Sequence, residues 1–257
     1  MARATQRREG DEVTQPAHRG DAAEETSWER FKANVRTIGG AVLLAVFIRI
    51  VLFEAFEIDG PSMQPTLLHG DRVVVAKMLY GLFLPSTDEA ALTWGAPHPG
   101  DVVIVHSPLD NIDIVKRVIA TEGQQVELRG GRLLVDGVAL PYRRVRACRP
   151  EEQKDKELEL GPEECDVYEE RIGELSYLVS HDPDYDLSIS PQTVPPGHVF
   201  IRGDHRDQSN DSTNALMGPV PIERIKGRAL FIYLSSDASR STGTFDFRWD
   251  RFLDAVR

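Results

Sequence analysis

The sequence predicts a mainly β protein. An antiparallel, twisted β-sheet domain carries an inserted accessory lobe and is preceded by one N-terminal transmembrane helix. Three observations predict this. Short Val- and Ile-rich runs are separated by Gly, Pro and Asp turns, with few helical periods between them. One long apolar run lies near the N-terminus. A Glu- and Lys-rich stretch, residues 146–174, interrupts the strand pattern. The chain has 257 residues, 41% of them hydrophobic, enough for a substantial core. The expected division is a polar cytoplasmic tail over 1–36, a transmembrane helix over 37–53, a β-rich core over 54–125 and 194–257, and the accessory lobe over 126–193.

The tail mixes both signs of charge with almost no periodic apolar face, so it cannot bury enough surface to order itself. Its end, Ser27–Lys32, reads as an amphipathic lead-in to a membrane surface. Residues 37–53 would span about 26 Å as a helix, near the lower limit for crossing a bilayer. Arg49 lies close enough to one end to snorkel to the headgroups. A cleaved signal peptide fits poorly, because the leader is long and no small-x-small site follows. A buried core helix over Ile38–Ile48 stays open. Arg19, Arg30, Lys32 and Arg36 precede the run and Arg72 alone follows within twenty residues. The N-terminus is therefore expected in the cytosol and the bulk of the chain outside it.

Strands are expected at Val73–Ala76, Val102–Val105, Ile112–Ala120, Ser176–Ser180, Val199–Ile201 and Arg228–Leu234. Leu133–Val135 and Val138–Leu140 flank Asp136-Gly137, a two-residue hairpin signal. Glu151–Leu160 reads as a helical or loop insertion and Ser235–Thr244 as a polar loop. Phe245–Trp249 reads as a last strand, and Arg251–Val256 as a short turn or helix. No internal repeat is present.

The net charge of −11 argues against a nucleic-acid binder, since phosphate binding wants a basic face, so no nucleic-acid partner is expected. Cys148 and Cys165 lack zinc-like spacing. Outside the cytosol they are disulfide candidates; two unpaired thiols are the other reading. The histidines are scattered, with no HExxH spacing. Asp204, Asp207 and Asp211 lack the glycine and terminal glutamate of a calcium loop. No metal and no cofactor is expected, for there is also no Walker loop and no GxGxxG. No GxSxG elbow surrounds any serine. Ser62 sits between Gly60-Pro61 and Pro65, where a turn serine is the ordinary reading. A lysine serves as general base only if burial lowers its pKa from about 10.4. Lys116 has apolar neighbours at Ile112, Ile114, Val115, Val118 and Ile119. Local sequence leaves open whether Lys116 or Arg117 points inward.

Four segments carry a family resemblance: Ser62-Met63-Gln64-Pro65-Thr66-Leu67; Gly70-Asp71-Arg72-Val73-Val74-Val75; Lys116-Arg117-Val118-Ile119; and Gly203-Asp204-His205-Arg206-Asp207-Gln208-Ser209-Asn210-Asp211-Ser212. In this order, after the apolar run, the chain resembles the bacterial type I signal peptidases from about Arg36 to its C-terminus. The resemblance implies a Ser/Lys endopeptidase that cleaves signal peptides from exported preproteins after small-x-small motifs. It implies Ser62 as nucleophile, Lys116 as general base, Ser209 orienting the lysine and Asp211 in a structural role. It implies an oxyanion site at the Ser62 backbone N–H. Some members add a hydroxyl where this chain has Gly60. Ile58, Met63, Leu67 and Val115 are candidates for lining the substrate pockets. His205 and Gln208 stand where asparagines are usual, and Thr213 where an arginine often follows. Asp211 is then expected to pair with Arg117 or Arg206. The implied setting is the bacterial inner membrane, single-pass, with the β domain on the extracytoplasmic side. The implied partners are preproteins and membrane lipid, and the expected state is monomeric.

Overall fold

The computed structural model describes residues 27–83, 87, 89–152, 165–238 and 245–257. The chain forms two units, Met1–Ala45 and Val46–Arg257. Helix α1 covers Ser27–Val51, so the amphipathic lead-in and the apolar run are one helix. Within it the Trp28 and Phe31 rings stack at 5.6 Å, and Lys32 Nζ lies 5.4 Å over the indole. Ile38, Val42, Leu43 and Leu44 are exposed. Among the described residues no helix is long and apolar enough to cross a membrane. The helix ends two residues short of the expected 53, because Phe53 pairs in a sheet with Ala76.

The strands are, in order, β1 (Phe53–Glu57), β2 (Asp71–Ala76), β3 (Gly81–Leu82), β4 (Leu92–Thr93), β5 (Val102–His106), β6 (Asp113–Thr121), β7 (Gln125–Arg129), β8 (Arg132–Val135), β9 (Val138–Ala139), β10 (Tyr142–Ala147), β11 (Asp166–Ile172), β12 (Leu175–His181), β13 (Ile189–Thr193), β14 (His198–Arg202), β15 (Val220–Pro221), β16 (Ile225–Ala238) and β17 (Phe245–Phe247). The largest sheet runs β1-β2-β16-β5-β6-β14-β15, with β17 also paired to β16. Its pairings are antiparallel. The described residues of 125–193 add no strand to it. They form a four-stranded sheet, β13-β7-β8-β9, and a three-stranded sheet, β10-β11-β12.

The continuous apolar run of β5 is explained by burial on both faces. Val102 and Ile104 join one core with Val73, Val75, Val115 and Ile232. Val103 and Val105 join another with Val118, Val199 and Ile201. The β8–β9 turn has positive φ at both Asp136 (51°) and Gly137 (76°), as a type I′ hairpin requires.

Two expectations need correction. β10 and β11 were not expected, because their residues are mostly charged. They pair through Arg143–Glu169 at 2.6 Å and Arg144–Asp166 at 2.6 Å, while Val167 is fully buried. Exposed charges facing one another across strands satisfy a sheet face without any apolar pattern. Second, β16 continues through Ser235 to Ala238, since it pairs with β2 through Ser235 and with β17 beyond. Trp249–Arg251 is a 3-10 turn; the chain then returns antiparallel along β16, with Leu253 N–H donating to Ile232 O (2.8 Å) and Val256 N–H to Leu230 O (2.9 Å). The expected insertion at Glu151–Leu160 lies outside the described residues beyond Glu152, and the expected loop does so at 239–244. Cys148 and Cys165 form a disulfide beside the β10–β11 pair, with Cα atoms 5.4 Å apart.

Candidate active site

The segment between β1 and β2 carries Ser62. Its neck is closed by Ile58 N–H to Asp71 O (2.8 Å) and Gly70 N–H to Ile58 O (2.9 Å). Gly60 and Gly70 have φ of 104° and 82°, which glycine adopts without penalty. A Cβ on Gly70 would lie 2.0 Å from Ser236 O. Met63 and Leu67 are buried in the core and anchor the turn from within. Ser180 Oγ donates to Gln64 O (3.0 Å), and His205 N–H donates to Ser62 O (3.1 Å). The turn is therefore fixed from below by apolar packing and from the side by the 203–205 loop.

Lys116 lies on β6, opposite Val103 of β5. Both Lys116 (3% exposed) and Arg117 (0%) are buried, so neither points to solvent. Lys116 Nζ lies 2.9 Å from Ser62 Oγ and donates to Val115 O at 2.9 Å. Burial pushes its pKa from 10.5 down to about 8, against the pull of the Asp211, Asp204 and Asp110 carboxylates. Desolvation is the largest of these effects, so the ammonium is disfavoured despite the three carboxylates.

Burial disfavours charge on Arg117, but Asp204 outweighs it and holds the guanidinium charged. The pair is two-pronged, Nε to Oδ1 at 2.8 Å and Nη2 to Oδ2 at 2.7 Å. Arg117 also donates to Gly100 O (2.9 Å) and stacks 4.1 Å from the Tyr177 ring centroid. Thr66 Oγ1 donates to Asp204 Oδ2 at 2.5 Å, tying the Ser62 segment to this pair. Asp211 pairs with neither Arg117 nor Arg206. Its oxygens accept from Gly203 N–H (3.0 Å) and from the Thr213 N–H (3.0 Å) and hydroxyl (2.8 Å), with Arg202 Nε 3.8 Å away. Arg206 is taken by Glu170 at 2.5 Å. Asp211 thus finds local donors, Thr213 among them, and needs no distant arginine.

Ser209 Oγ is buried and, among the described residues, has no hydrogen-bond partner, Lys116 included. It is close by: a Cβ on Gly203 would lie 2.2 Å from Ser209 Oγ and 2.4 Å from Ser62 O. The Gly60 N–H donates to His69 Nδ1 (3.2 Å). The Ser62 N–H has no backbone acceptor among the described residues. Ile58, Met63, Leu67 and Val115 come together in one core cluster, at 7% exposure or less. They underlie the serine as packing. Among the described residues no three His, Cys, Asp or Glu side chains are placed to hold a metal ion.

Sequence reasoning missed Thr66, Gly203, Asp204 and Asp71 as structural partners of the site, although all four lie inside the quoted motifs. Fully buried Asp71 accepts from Leu68 N–H (2.8 Å), Ser235 Oγ (2.6 Å) and Arg251 Nη2 (2.6 Å). A buried acid beside a turn glycine is a local signal; its distant partners are not.

The family described as Signal peptidase, peptidase S26, matches residues 31–234. Signal peptidase I of Pseudomonas aeruginosa is 32% identical over 206 residues, covering 76% of this chain and 69% of that one. Signal peptidase I T of Bacillus subtilis is 32% identical over 204 residues, covering 79% and 84%. A probable signal peptidase I-1 of Synechocystis is 31% identical over 228 residues, covering 86% and 91%. A solved signal peptidase I from Enterococcus faecalis gives a TM-score of 0.31 at 22% identity over 53% of this chain and 98% of that one, too slight a likeness to argue from. With a match spanning both the Ser62 segment and the Lys116 strand, the chain belongs to the signal peptidase family, peptidase S26.

Proposed function

We propose that this chain removes signal peptides from exported preproteins as a serine endopeptidase, with Ser62 as nucleophile and Lys116 as general base. One observation carries the assignment of residues: Lys116 Nζ stands 2.9 Å from Ser62 Oγ in a buried site that lowers its pKa to about 8. A neutral amine at that distance accepts the hydroxyl proton as Oγ attacks the scissile carbonyl carbon. The ammonium so formed donates the proton to the leaving amine, giving the acyl-enzyme ester. Neutral Lys116 then takes a proton from water, the hydroxide attacks the ester, and the proton returns to Ser62 Oγ. The Ser62 backbone N–H is the donor offered to the developing oxyanion. One such donor contributes about 3 kcal/mol to barrier lowering.

Gly60 supplies no second hydroxyl, so that role stays with a backbone amide or water. Core packing of Ile58, Met63, Leu67 and Val115 shapes the floor on which small substrate side chains would rest. Ser209 lies against Gly203 and contributes to the shape of the lysine's niche. Expected outcomes are clear. Ser62→Ala and Lys116→Ala each lose at least about 1,000-fold in preprotein cleavage, with circular dichroism unchanged. Near-normal turnover by either variant removes the dyad.

The apolar surface of α1 supports a membrane setting. Ile38, Val42, Leu43 and Leu44 are exposed on the helix, an arrangement water disfavours and lipid does not. The basic residues Arg19, Arg30, Lys32 and Arg36 keep its N-terminal side cytosolic. The full chain should float with phospholipid vesicles in a density gradient, and Leu43→Asp with Leu44→Asp should reduce flotation. A full chain that stays at the bottom of the gradient would remove the membrane assignment.

A further inference from the structure

The geometry points to Arg251, with Arg248, as positioning residues that hold the Ser62 segment at its working distance from Lys116. Both arginines lie in or beside the 3-10 turn Trp249–Arg251, far along the chain from either member of the dyad. Arg251 Nη2 donates to Thr66 O (2.9 Å) and Asp71 Oδ2 (2.6 Å), and its Nε donates to Asp71 Oδ1 (3.2 Å). Arg248 Nη2 donates to His69 O (2.7 Å) and lies 3.4 Å from Asp71 Oδ1, while its Nε donates to Ser235 Oγ (2.7 Å). Ser235 Oγ in turn donates to Asp71 Oδ1 at 2.6 Å.

Two backbone carbonyls of the nucleophile's segment, Thr66 O and His69 O, are thus held by the C-terminal turn. The anchor is Asp71, a fully buried carboxylate at the root of β2. The same C-terminal stretch reaches the base's strand: Arg117 Nη2 donates to Arg257 O at 2.9 Å, and Val256 packs in the core with Met63, Leu67 and Val115. One stretch therefore spans the elements carrying both reacting groups. A planar guanidinium can grip a carboxylate and a carbonyl at once; an ammonium on a flexible stem cannot reproduce that fork. A displacement near 1 Å between reacting atoms costs about 100-fold in rate.

The inference rests on Ser62 and Lys116 being the dyad, and the test separates the two. Turnover of a preprotein with a small-x-small site is measured for Arg251→Lys, Arg251→Gln, Arg248→Gln and Ser62→Ala, with thermal unfolding of each. Arg144→Gln, from an exposed ion pair on β10, is the control and should match wild type. Arg251→Lys keeps a cation beside Asp71, so its melting temperature should stay near wild type. Its kcat should fall about 10- to 100-fold with KM changed less than about twofold. Arg251→Gln should lose kcat and melt lower, and Arg248→Gln should lose less of each. Wild-type kcat in Arg251→Lys, or a fall in kcat only in step with lost folded protein, overturns the positioning role. If Ser62→Ala itself turns over normally, the dyad reading fails first.

Discussion

At the scale of single residues, the reactivity proposed for Ser62 depends on what surrounds Lys116. Burial lowers the lysine's pKa from 10.5 to about 8, so the competent neutral fraction grows as pH rises through 8. Cleavage by the wild type should therefore climb between pH 7 and 9 and level off above, measured as kcat/KM; a flat profile contradicts a lysine base. The same shift bears on stability. Between pH 8 and 10.5 the unfolded chain binds a proton that the folded chain does not, so stability rises with pH there. Below 8 the full cost of burying the ammonium is present, on the order of 3 kcal/mol. Lys116→Met should then be inactive yet more stable than wild type in urea at pH 7, with the gain vanishing near pH 10.5. Gly203 acts through its lack of a side chain. An added Cβ would meet Ser209 Oγ at 2.2 Å and Ser62 O at 2.4 Å, and backbone must move. Gly203→Ala should lower kcat about 100-fold while substrate binding survives.

At the scale of elements, β6 carries two buried cations side by side and treats them oppositely. Among the described residues Lys116 has no salt-bridge partner, and it gives up its proton more readily than an exposed lysine. Arg117 receives both oxygens of Asp204 and keeps it. Asp204 sits just past β14, which pairs with β6 through Arg202 and Arg117. Strand pairing thus delivers the acid to the arginine and leaves the amine for the serine. Asp204→Asn would leave a buried guanidinium with neutral acceptors only, Gly100 O and Arg257 O among them, so unfolding free energy should drop by about 3–5 kcal/mol, read by chemical denaturation. Alternation along β6 shows why local reading stayed ambiguous. An inward arginine and an outward lysine are the usual result for adjacent positions, and here the Ser62 turn covers the second position as well. The charged strands β10 and β11 escaped notice for a related reason: their order comes from cross-strand ion pairs, which no single-strand pattern displays.

At the scale of the whole molecule, the largest sheet and the 125–193 sheets share one compact unit, Val46–Arg257. The Cys148–Cys165 disulfide closes a loop with a sequence separation of 17. Closing a loop of that size removes about 3 kcal/mol of unfolded-state entropy. Reductant should lower the denaturation midpoint accordingly, and a Cys148→Ala, Cys165→Ala pair should behave like the reduced wild type. Unchanged midpoints would show that the link contributes nothing to stability.

The sequence by itself determined the β class and the hairpin at Asp136-Gly137, because turn chemistry and strand period are written locally; the four motifs pointed to Ser62 and Lys116 only through their resemblance to the signal peptidases. Tertiary structure alone decided that Lys116 and Arg117 are both buried, that Asp211 uses Gly203, Thr213 and Arg202, and that Ser209 Oγ has no hydrogen-bond partner among the described residues. It also decided that Arg248 and Arg251 return to grip the segment around Ser62. Lys116 and Ser62 are 54 positions apart, and Arg251 lies 185 from Thr66. Such contacts depend on which strands become neighbours, and sheet order is a property of the folded chain and not of any window along it.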